Sequence, residues 1–399
     1  MVRSMLAALR HRQFALLWSG QALSAIGNRM FPVILALVVL DRYGAAALGA
    51  VLAVQGAALV LGALAAAAVT DRLPRRTIMI VTDAARALGV AALTLAPGPA
   101  LFPLVAAIAL AEGLFQPAYA ALLPRVLPAG RLREGNSLTA FSQYTAMIVG
   151  PSLAGAVIAA AGTTAALWID VGTFAASLVT LAQLREPPAG PAAAPWTLRE
   201  TGRDLAGGLR AVLERPWLAA SMATSTLVMT FAIAPMMLAA PLAAGGPRAY
   251  GALFTALGAG CVAGTVLAAR LRTRRQGAVS VAGLLAAAAA PLALAGLPLN
   301  AVLLLWGVAG AGITVYEVLW TTAVQQEVPD ALLGRVMALD WFGSEALTPL
   351  GYLLAGLAVT ALGTGAVLVA AACMVALTAP LPLLVRGGST FTTPARTPA

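Results

Sequence analysis

Residues 14–40 read FALLWSGQALSAIGNRMFPVILALVVL, about 27 residues with one charged side chain, Arg29. A helix needs roughly 20 apolar residues to cross the hydrocarbon core of a bilayer, so this run is long enough to span it. Arg3, Arg10 and Arg12 stand ahead of it in the manner of a secretory leader. The run is too long for a cleavable core and lacks a clear small-residue cleavage site. It reads as an uncleaved first transmembrane helix.

The rest of the chain repeats the pattern. With 60% hydrophobic and 10% charged residues among 399 and a mean hydropathy of +0.89, there is too little polar surface to clothe a soluble globule. The runs are rich in Ala, Leu and Val without strict alternation, which favours helices over a transmembrane barrel. Twelve spans are expected at about 14–40, 46–69, 77–96, 100–122, 137–161, 164–184, 217–242, 250–269, 277–296, 299–323, 336–360 and 363–385, with ends good to about four residues.

The net charge of +10 raises the question of nucleic acid, and the positions of the charges answer it. All 25 basic residues are Arg, and most sit in alternate loops. Arg72, Arg75 and Arg76 follow span 2, Arg125, Arg131 and Arg133 follow span 4, and Arg270, Arg272, Arg274 and Arg275 follow span 8. The opposite loops hold only Arg42 and Arg248, so both termini are expected on the cytoplasmic face of a bacterial inner membrane. No basic face interleaved with aromatics offers itself to nucleic acid. Cys261 and Cys373 fall in different apolar runs and read as small packing residues.

The organisation expected is a six-helix bundle over 1–184, a cytoplasmic linker over 185–216, a second six-helix bundle over 217–385 and a disordered tail over 386–399. The linker joins Arg185, Glu186 and a Pro-rich stretch to an amphipathic run from Arg199 to Arg215, a surface helix in pattern. With an offset of 201, Pro128, Leu138, Gly150, Ala154, Gly155 and Gly162 fall on Pro329, Leu339, Gly351, Ala355, Gly356 and Gly363. The halves therefore read as parallel repeats, an arrangement that places a substrate site near the bilayer midplane.

Asp71-Arg72-Leu73-Pro74-Arg75-Arg76, between spans 2 and 3, resembles the loop signature of the major facilitator superfamily, with Ala67 and Pro74 where that pattern has Gly. Phe115-Gln116-Pro117-Ala118, Leu123-Pro124, Leu127-Pro128, Leu132, Asn136-Ser137-Leu138, Gly150-Pro151, Leu153-Ala154-Gly155 and Ile169-Asp170 with Phe174 are similar to its macrolide-efflux and siderophore-exporter branch. Gly334-Arg335-Val336 and Leu350-Gly351 extend that similarity into the second half. Gly150-Pro151-Ser152-Leu153-Ala154-Gly155 also resembles the span 5 motif of drug/proton antiporters. The resemblance implies an all-α membrane protein of the major facilitator fold, two pseudo-symmetric bundles with spans 1, 4, 7 and 10 lining a central cavity. It implies, too, a secondary transporter that exports small organic compounds against protons.

A charge at the bilayer centre costs about 2.5–3.5 kcal/mol or more, so each one needs a partner, water or a function. Arg29, Glu112 and Glu317 stand at mid-span. Gln21, Ser24, Asn28 and Pro32 share a stripe of span 1; Glu112, Gln116 and Tyr119 share one of span 4; Thr314, Glu317 and Thr321 share one of span 10. Ser221, Thr224 and Ser225 come from span 7, and Tyr119, Tyr316 and Trp320 add aromatic surface suited to a semi-polar organic ligand. Drying favours the neutral form of a carboxyl and a nearby cation the ionised form, so Glu112 and Glu317 are the candidates for proton coupling. The alternative for Arg29 is a static ion pair with a glutamate.

Candidate gate residues are Asp71, Arg72, Arg75, Arg76, Gly150, Pro151, Asp340 and Glu345; for Asp71, anchoring of a loop stays open. Small residues beside Pro151 let helices approach and bend, though packing alone accounts for them equally well. Asp83 and Arg86, one turn apart, read as a structural pair, and Asp170 has no assigned role.

An ATP-driven pump is excluded because a chain without Lys lacks the phosphate-binding lysine of a P-loop. The one His, His11, precedes span 1, and no metal-ligand cluster or nucleophile elbow exists, so no enzyme, metal or cofactor is expected. The expected partners are a small-molecule substrate, protons and the lipid bilayer, with the protein monomeric. An importer of a nutrient or metal chelate, and a receptor or scaffold on the same fold, remain as alternatives. The Arg-only, Ala-rich usage hints at a high-GC bacterium, in which antibiotic efflux is plausible.

Overall fold

The computed structural model describes residues 6–70, 73–95, 98–128, 131–186 and 198–392. These are helical, with no strand among them. The α-helices are α1 (Arg12–Thr70), α2 (Arg75–Leu93), α3 (Leu101–Leu122), α4 (Leu132–Gln183), α5 (Leu198–Leu213), α6 (Pro216–Val228) and α7 (Ala234–Ala243). They continue as α8 (Pro247–Arg270), α9 (Gln276–Ala287), α10 (Ala289–Leu294), α11 (Leu299–Glu327), α12 (Asp330–Ala346), α13 (Thr348–Leu362) and α14 (Thr364–Thr378). A π-helical turn over Met229–Ile233 joins α6 to α7.

Among the described residues, 9 helical stretches are long and apolar enough to cross a membrane. Two of them, Arg12–Ala66 with 55 residues and Glu134–Gln183 with 50, have the length for two passes each. Each is broken once, at Gly44 (φ 79°, ψ −176°) and Gly162 (φ 84°, ψ 171°). That left-handed extended backbone is open to glycine and costly for other residues, so one helix gives way to the next there without a loop. Gly363, one repeat after Gly162, adopts the same conformation (φ 85°, ψ 160°) between α13 and α14. Helix α2 is not among the nine because Arg75, Arg76, Asp83 and Arg86 lie on it.

The chain forms two compact units that differ slightly from the boundaries expected from sequence. Unit 1 comprises Met1–Gly44, Val54–Pro195 and Gly246–Thr255, and unit 2 comprises Ala45–Ala53, Trp196–Gly245 and Ala256–Ala399. The reassignment of two short segments has a packing cause. In unit 1, Gly155 and Gly251 bring α4 against the start of α8, and the Ser152 and Thr255 hydroxyls meet at 2.5 Å. In unit 2, Gly49 lies so close to α13 that a Cβ on it would stand 2.6 Å from the Tyr352 carbonyl oxygen. Small residues replace a hydrophobic driving force where lipid is the solvent, because they allow helix backbones to touch.

The core of unit 1 gathers Phe14, Leu17, Met79, Phe115, Leu122 and Leu181. Its end is tied by Glu186, which accepts hydrogen bonds from the backbone N–H of Arg75 (3.3 Å) and Arg76 (2.9 Å) and pairs with Arg125 at 3.1 Å. The core of unit 2 is built on Trp217, Leu218, Tyr316, Trp320 and Val324, with Ala211 and Val212 of α5. The surface helix expected in the linker is thus α5, whose apolar face enters the core of unit 2.

Residues 386–392, read from sequence as the start of a disordered tail, are docked instead. Phe391 is 1% exposed with its ring 5.3 Å from that of Trp217, and the Ala278 N–H donates to the Ser389 carbonyl at 3.0 Å. Composition rich in Gly, Ser and Thr concealed a single aromatic anchor. Residues 393–399 lie outside the described residues.

Candidate functional site

Four stretches of helix in unit 1 present polar side chains toward a common space. The first part of α1 contributes Gln21, Ala25, Asn28, Arg29, Phe31 and Pro32, and α3 contributes Glu112, Phe115, Gln116 and Tyr119. With Gln55 and Leu59 from the second part of α1, and Gln143 from α4, they line a cavity of about 240 Å³. Every unit 1 residue expected in the cavity, and Glu112, is therefore brought to one place. Gln55 and Gln143 were not singled out from sequence, although a lone amide in an apolar span is the same signal that marked Gln21 and Gln116. Ser24, on the same stripe of span 1, is fully buried instead and does not line the cavity.

The cavity combines a carboxyl, a guanidinium and five carboxamides with the rings of Phe115 and Tyr119, stacked at 6.3 Å. Arg29 and Glu112 both line it, yet among the described residues they form no ion pair with each other. Their hydrogen-bonding capacity is thus open to a ligand or to water. Arg29 is positioned by Gly150 of α4, where a Cβ would stand 2.6 Å from the Arg29 Cβ and 2.9 Å from the Ile26 carbonyl oxygen. Gly150→Val is expected to force these helices apart and cost about 1–3 kcal/mol. Thermal unfolding in detergent should fall by several degrees; an unchanged midpoint would show that the seam yields.

Behind the cavity wall lies a buried polar cluster. Asp83 accepts from Arg86 Nη2 at 2.5 Å and from the Ser177 hydroxyl at 2.6 Å. Gln21 Nε2 donates to Ser177 Oγ at 2.8 Å, and Arg86 Nη1 donates to Asn28 Oδ1 at 3.3 Å. The guanidinium stacks 4.8 Å from the ring centroid of Phe115 and 4.5 Å from that of Phe174. Asp83 and Arg86 thus form the pair expected from their spacing, within a larger assembly.

In unit 2 the residues of the expected second cavity wall fall into two groups. Ser225 shares a 2.9 Å hydrogen bond with the Tyr316 hydroxyl, which also donates to the Ser221 carbonyl at 3.3 Å. Glu317 is exposed, and Thr314, Thr321 and Ser225 are half-buried. Trp320 is buried, its indole N–H without a hydrogen-bond partner among the described residues. Ser221 and Thr224, by contrast, are fully buried and bond the Trp217 and Thr378 carbonyls at 2.8 and 3.2 Å, so they serve packing.

Of the candidate gate residues, Asp71 and Arg72 lie outside the described residues. Arg76 donates from Nε to the Leu181 carbonyl at 2.7 Å and from Nη2 to that of Ala182 at 2.8 Å, capping the end of α4. The Arg75 Nε has no partner among the described residues, and Asp340 and Glu345 are half-buried on α12. Pro151 sits inside α4, its carbonyl against Gly251.

Comparison with known proteins agrees with this architecture. The family model described as Major Facilitator Superfamily matches residues 17–346. The multidrug efflux pump Tap of Mycolicibacterium fortuitum is 30% identical over 354 residues, which are 83% of this chain and 85% of that protein. The MFS-type transporter y4rN of Sinorhizobium fredii is 27% identical over 252 residues, 60% of each chain. Among solved structures, the nucleoside transporter NupG superposes with a TM-score of 0.75 at 15% identity, covering 93% of this chain and 99% of its own. A POT family transporter in complex with a thioalcohol-conjugated peptide gives 0.71 at 14% identity, covering 96% and 97%.

Proposed function

Because the chain belongs to the Major Facilitator Superfamily, and is therefore a membrane transporter and not an enzyme, we propose that it exports small amphipathic organic compounds in exchange for protons by alternating access. The observation that carries this reading is the unit 1 cavity. Its carboxyl, guanidinium, amides and stacked aromatics suit a ligand with both polar and apolar parts, and such mixed lining suits a range of ligands. The 30% identity to a multidrug efflux pump supports the outward direction.

Glu112, which lines the cavity, and Glu317, at the equivalent mid-span position of α11, are assigned the coupling role, since protonation would relieve the cost of carrying either charge through a dry state. Asp71, Arg72, Arg75, Arg76, Asp340 and Glu345 are assigned to gating. A count of twelve passes in two six-helix repeats is supported by the nine spans if the helices broken at Gly44 and Gly162 pass twice and α2 once. The Arg-rich loops support a topology with both termini in the cytoplasm, which we assign to a monomer in a bacterial inner membrane.

Inside-out vesicles with an imposed proton gradient and a panel of dyes, macrolides and siderophores test the proposal. Gradient-dependent accumulation of at least one compound is expected. Accumulation that needs the opposite vesicle orientation would replace export by import.

Arg29 gives a sharper test within the cavity. Arg29→Ala is expected to weaken anionic compounds by about 1.5–3 kcal/mol, roughly ten- to hundredfold, and leave neutral ones unchanged. Binding titrations with a matched acid and amide check it; equal losses for both would mean that Arg29 shapes the cavity without contacting the ligand.

A further inference from the structure

The buried cluster behind the cavity wall holds three ionisable groups in unequal circumstances. Asp83, Arg86 and Asp170 are 0%, 1% and 0% exposed. Asp83 receives a donor on each oxygen, one of them charged, and is the ionised partner of Arg86. Asp170 has no such provision. Among the described residues its Oδ2 has no hydrogen-bond partner, and its Oδ1 meets only the Thr173 hydroxyl at 3.4 Å. The single Thr173 proton has a closer acceptor, the Asp170 carbonyl at 2.8 Å. An ionised Asp170 here would be a buried charge without a donor committed to it, which costs several kcal/mol. Arg86 meanwhile holds a donor in reserve, because its Nε–H is also unpartnered among the described residues.

The second repeat shows that the fold does not require these charges. Helices α2 and α9 begin at Arg75 and Gln276, the same offset of 201 that relates Gly162 to Gly363. By that offset Asp83, Arg86 and Asp170 correspond to Leu284, Ala287 and Ala371, which are 4%, 3% and 1% exposed. An apolar core serves the same place, and replacing buried ion groups by packed apolar residues is often neutral or stabilising. A cluster that is dispensable for packing, and expensive, calls for another purpose.

We propose that Asp83, Arg86 and Asp170 form a one-proton switch, with Asp170 as a proton-binding site distinct from Glu112 and Glu317, read from the cavity through Asn28. In the structure described, Asp170 carries the proton and Arg86 is directed to Asp83 and Asn28. On release, the Asp170 O–H bond breaks, the proton passes to water, and the new carboxylate accepts a hydrogen bond from Arg86 Nε. Arg86 keeps all its protons, and the cluster changes from neutral to singly negative. Asn28 has one side on the cavity and its Oδ1 on Arg86, so a ligand that engages Asn28 alters how far Arg86 is free to turn. The charged groups facing Asp170 are Arg86, with Asp83 behind it, from α2, and Glu112 from α3; α1 brings Gly27, which lies directly against the carboxyl, and Asn28. The coupling of this switch to export rests on the proposed proton-driven reading, but the existence of the site does not.

Infrared titration of the purified full chain in lipid nanodiscs tests the site without a substrate. The wild type and the Glu112→Gln, Glu317→Gln double variant should both show a protonated-carboxyl band at neutral pH that Asp170→Asn lacks. Asn28→Leu removes the acceptor that holds Arg86 away, so the same band should vanish about one pH unit earlier on alkaline titration. This second variant keeps Asp170 and serves as the test should Asp170→Asn not fold. A band still present in Asp170→Asn, or a titration unmoved by Asn28→Leu, overturns the switch. Loss of proton-driven transport in the glutamate variants, with the Asp170 band intact, bears only on the coupling residues.

Discussion

Gln at both Glu112 and Glu317 is expected to reduce proton-driven accumulation at least about tenfold while substrate exchange across the membrane continues. The reason is electrostatic. An ionised carboxyl carried into a dry cavity bears a desolvation penalty of several kcal/mol unless a cation compensates it, whereas its protonated form moves between states at little cost. Glutamine copies the protonated form in shape and charge. Binding and the conformational cycle therefore persist, and only the tie to the proton is cut; an order of magnitude corresponds to about 1.4 kcal/mol of lost coupling. Parallel measurement of counterflow and of gradient-driven uptake in proteoliposomes separates the two. Full accumulation in the double variant would make both carboxyls structural and move the search to Asp340, Glu345 or Asp170.

Phe391→Ala is expected to destabilise the protein by about 3–5 kcal/mol, the usual cost of deleting a buried aromatic ring. Its ring, 1% exposed, lies against Trp217 at the start of α6, and the backbone beside it bonds α9, so one side chain fastens three parts of unit 2. Phe391→Leu should recover much of the loss, since it refills most of the volume. Thermal melting followed by size-exclusion of the detergent-solubilised protein reads both variants. An alanine variant that melts with the wild type would mean that the segment beyond Arg386 contributes nothing to stability.

Those two sites mark the limits of what the chain reveals before it folds. Hydrophobic run length decided the membrane class, because a bilayer imposes one dimension on every span. Gln21, Asn28, Arg29, Glu112, Gln116 and Tyr119 were found by the same economy: polar side chains are costly in lipid, so each is conspicuous. Phe391 was not conspicuous, since one aromatic among Gly, Ser and Thr carries no periodicity. Asp170 was visible as an oddity but not as part of a cluster. Its neighbours Arg86 and Gly27 are distant in sequence, and only helix packing brings them together. Ser221 and Thr224 failed in the opposite sense: hydroxyls can satisfy themselves on a carbonyl, so a Ser or Thr stripe marks a wet face less reliably than an amide or a charge.

The single-glycine breaks at Gly44, Gly162 and Gly363 bear on how open the chain is to attack between its helices. A protease must draw several residues of extended chain into its cleft, and an antibody needs a raised surface of comparable size. Where helix gives way to helix at one residue, neither is on offer. Digestion of the purified protein in nanodiscs should therefore leave the chain whole at all three.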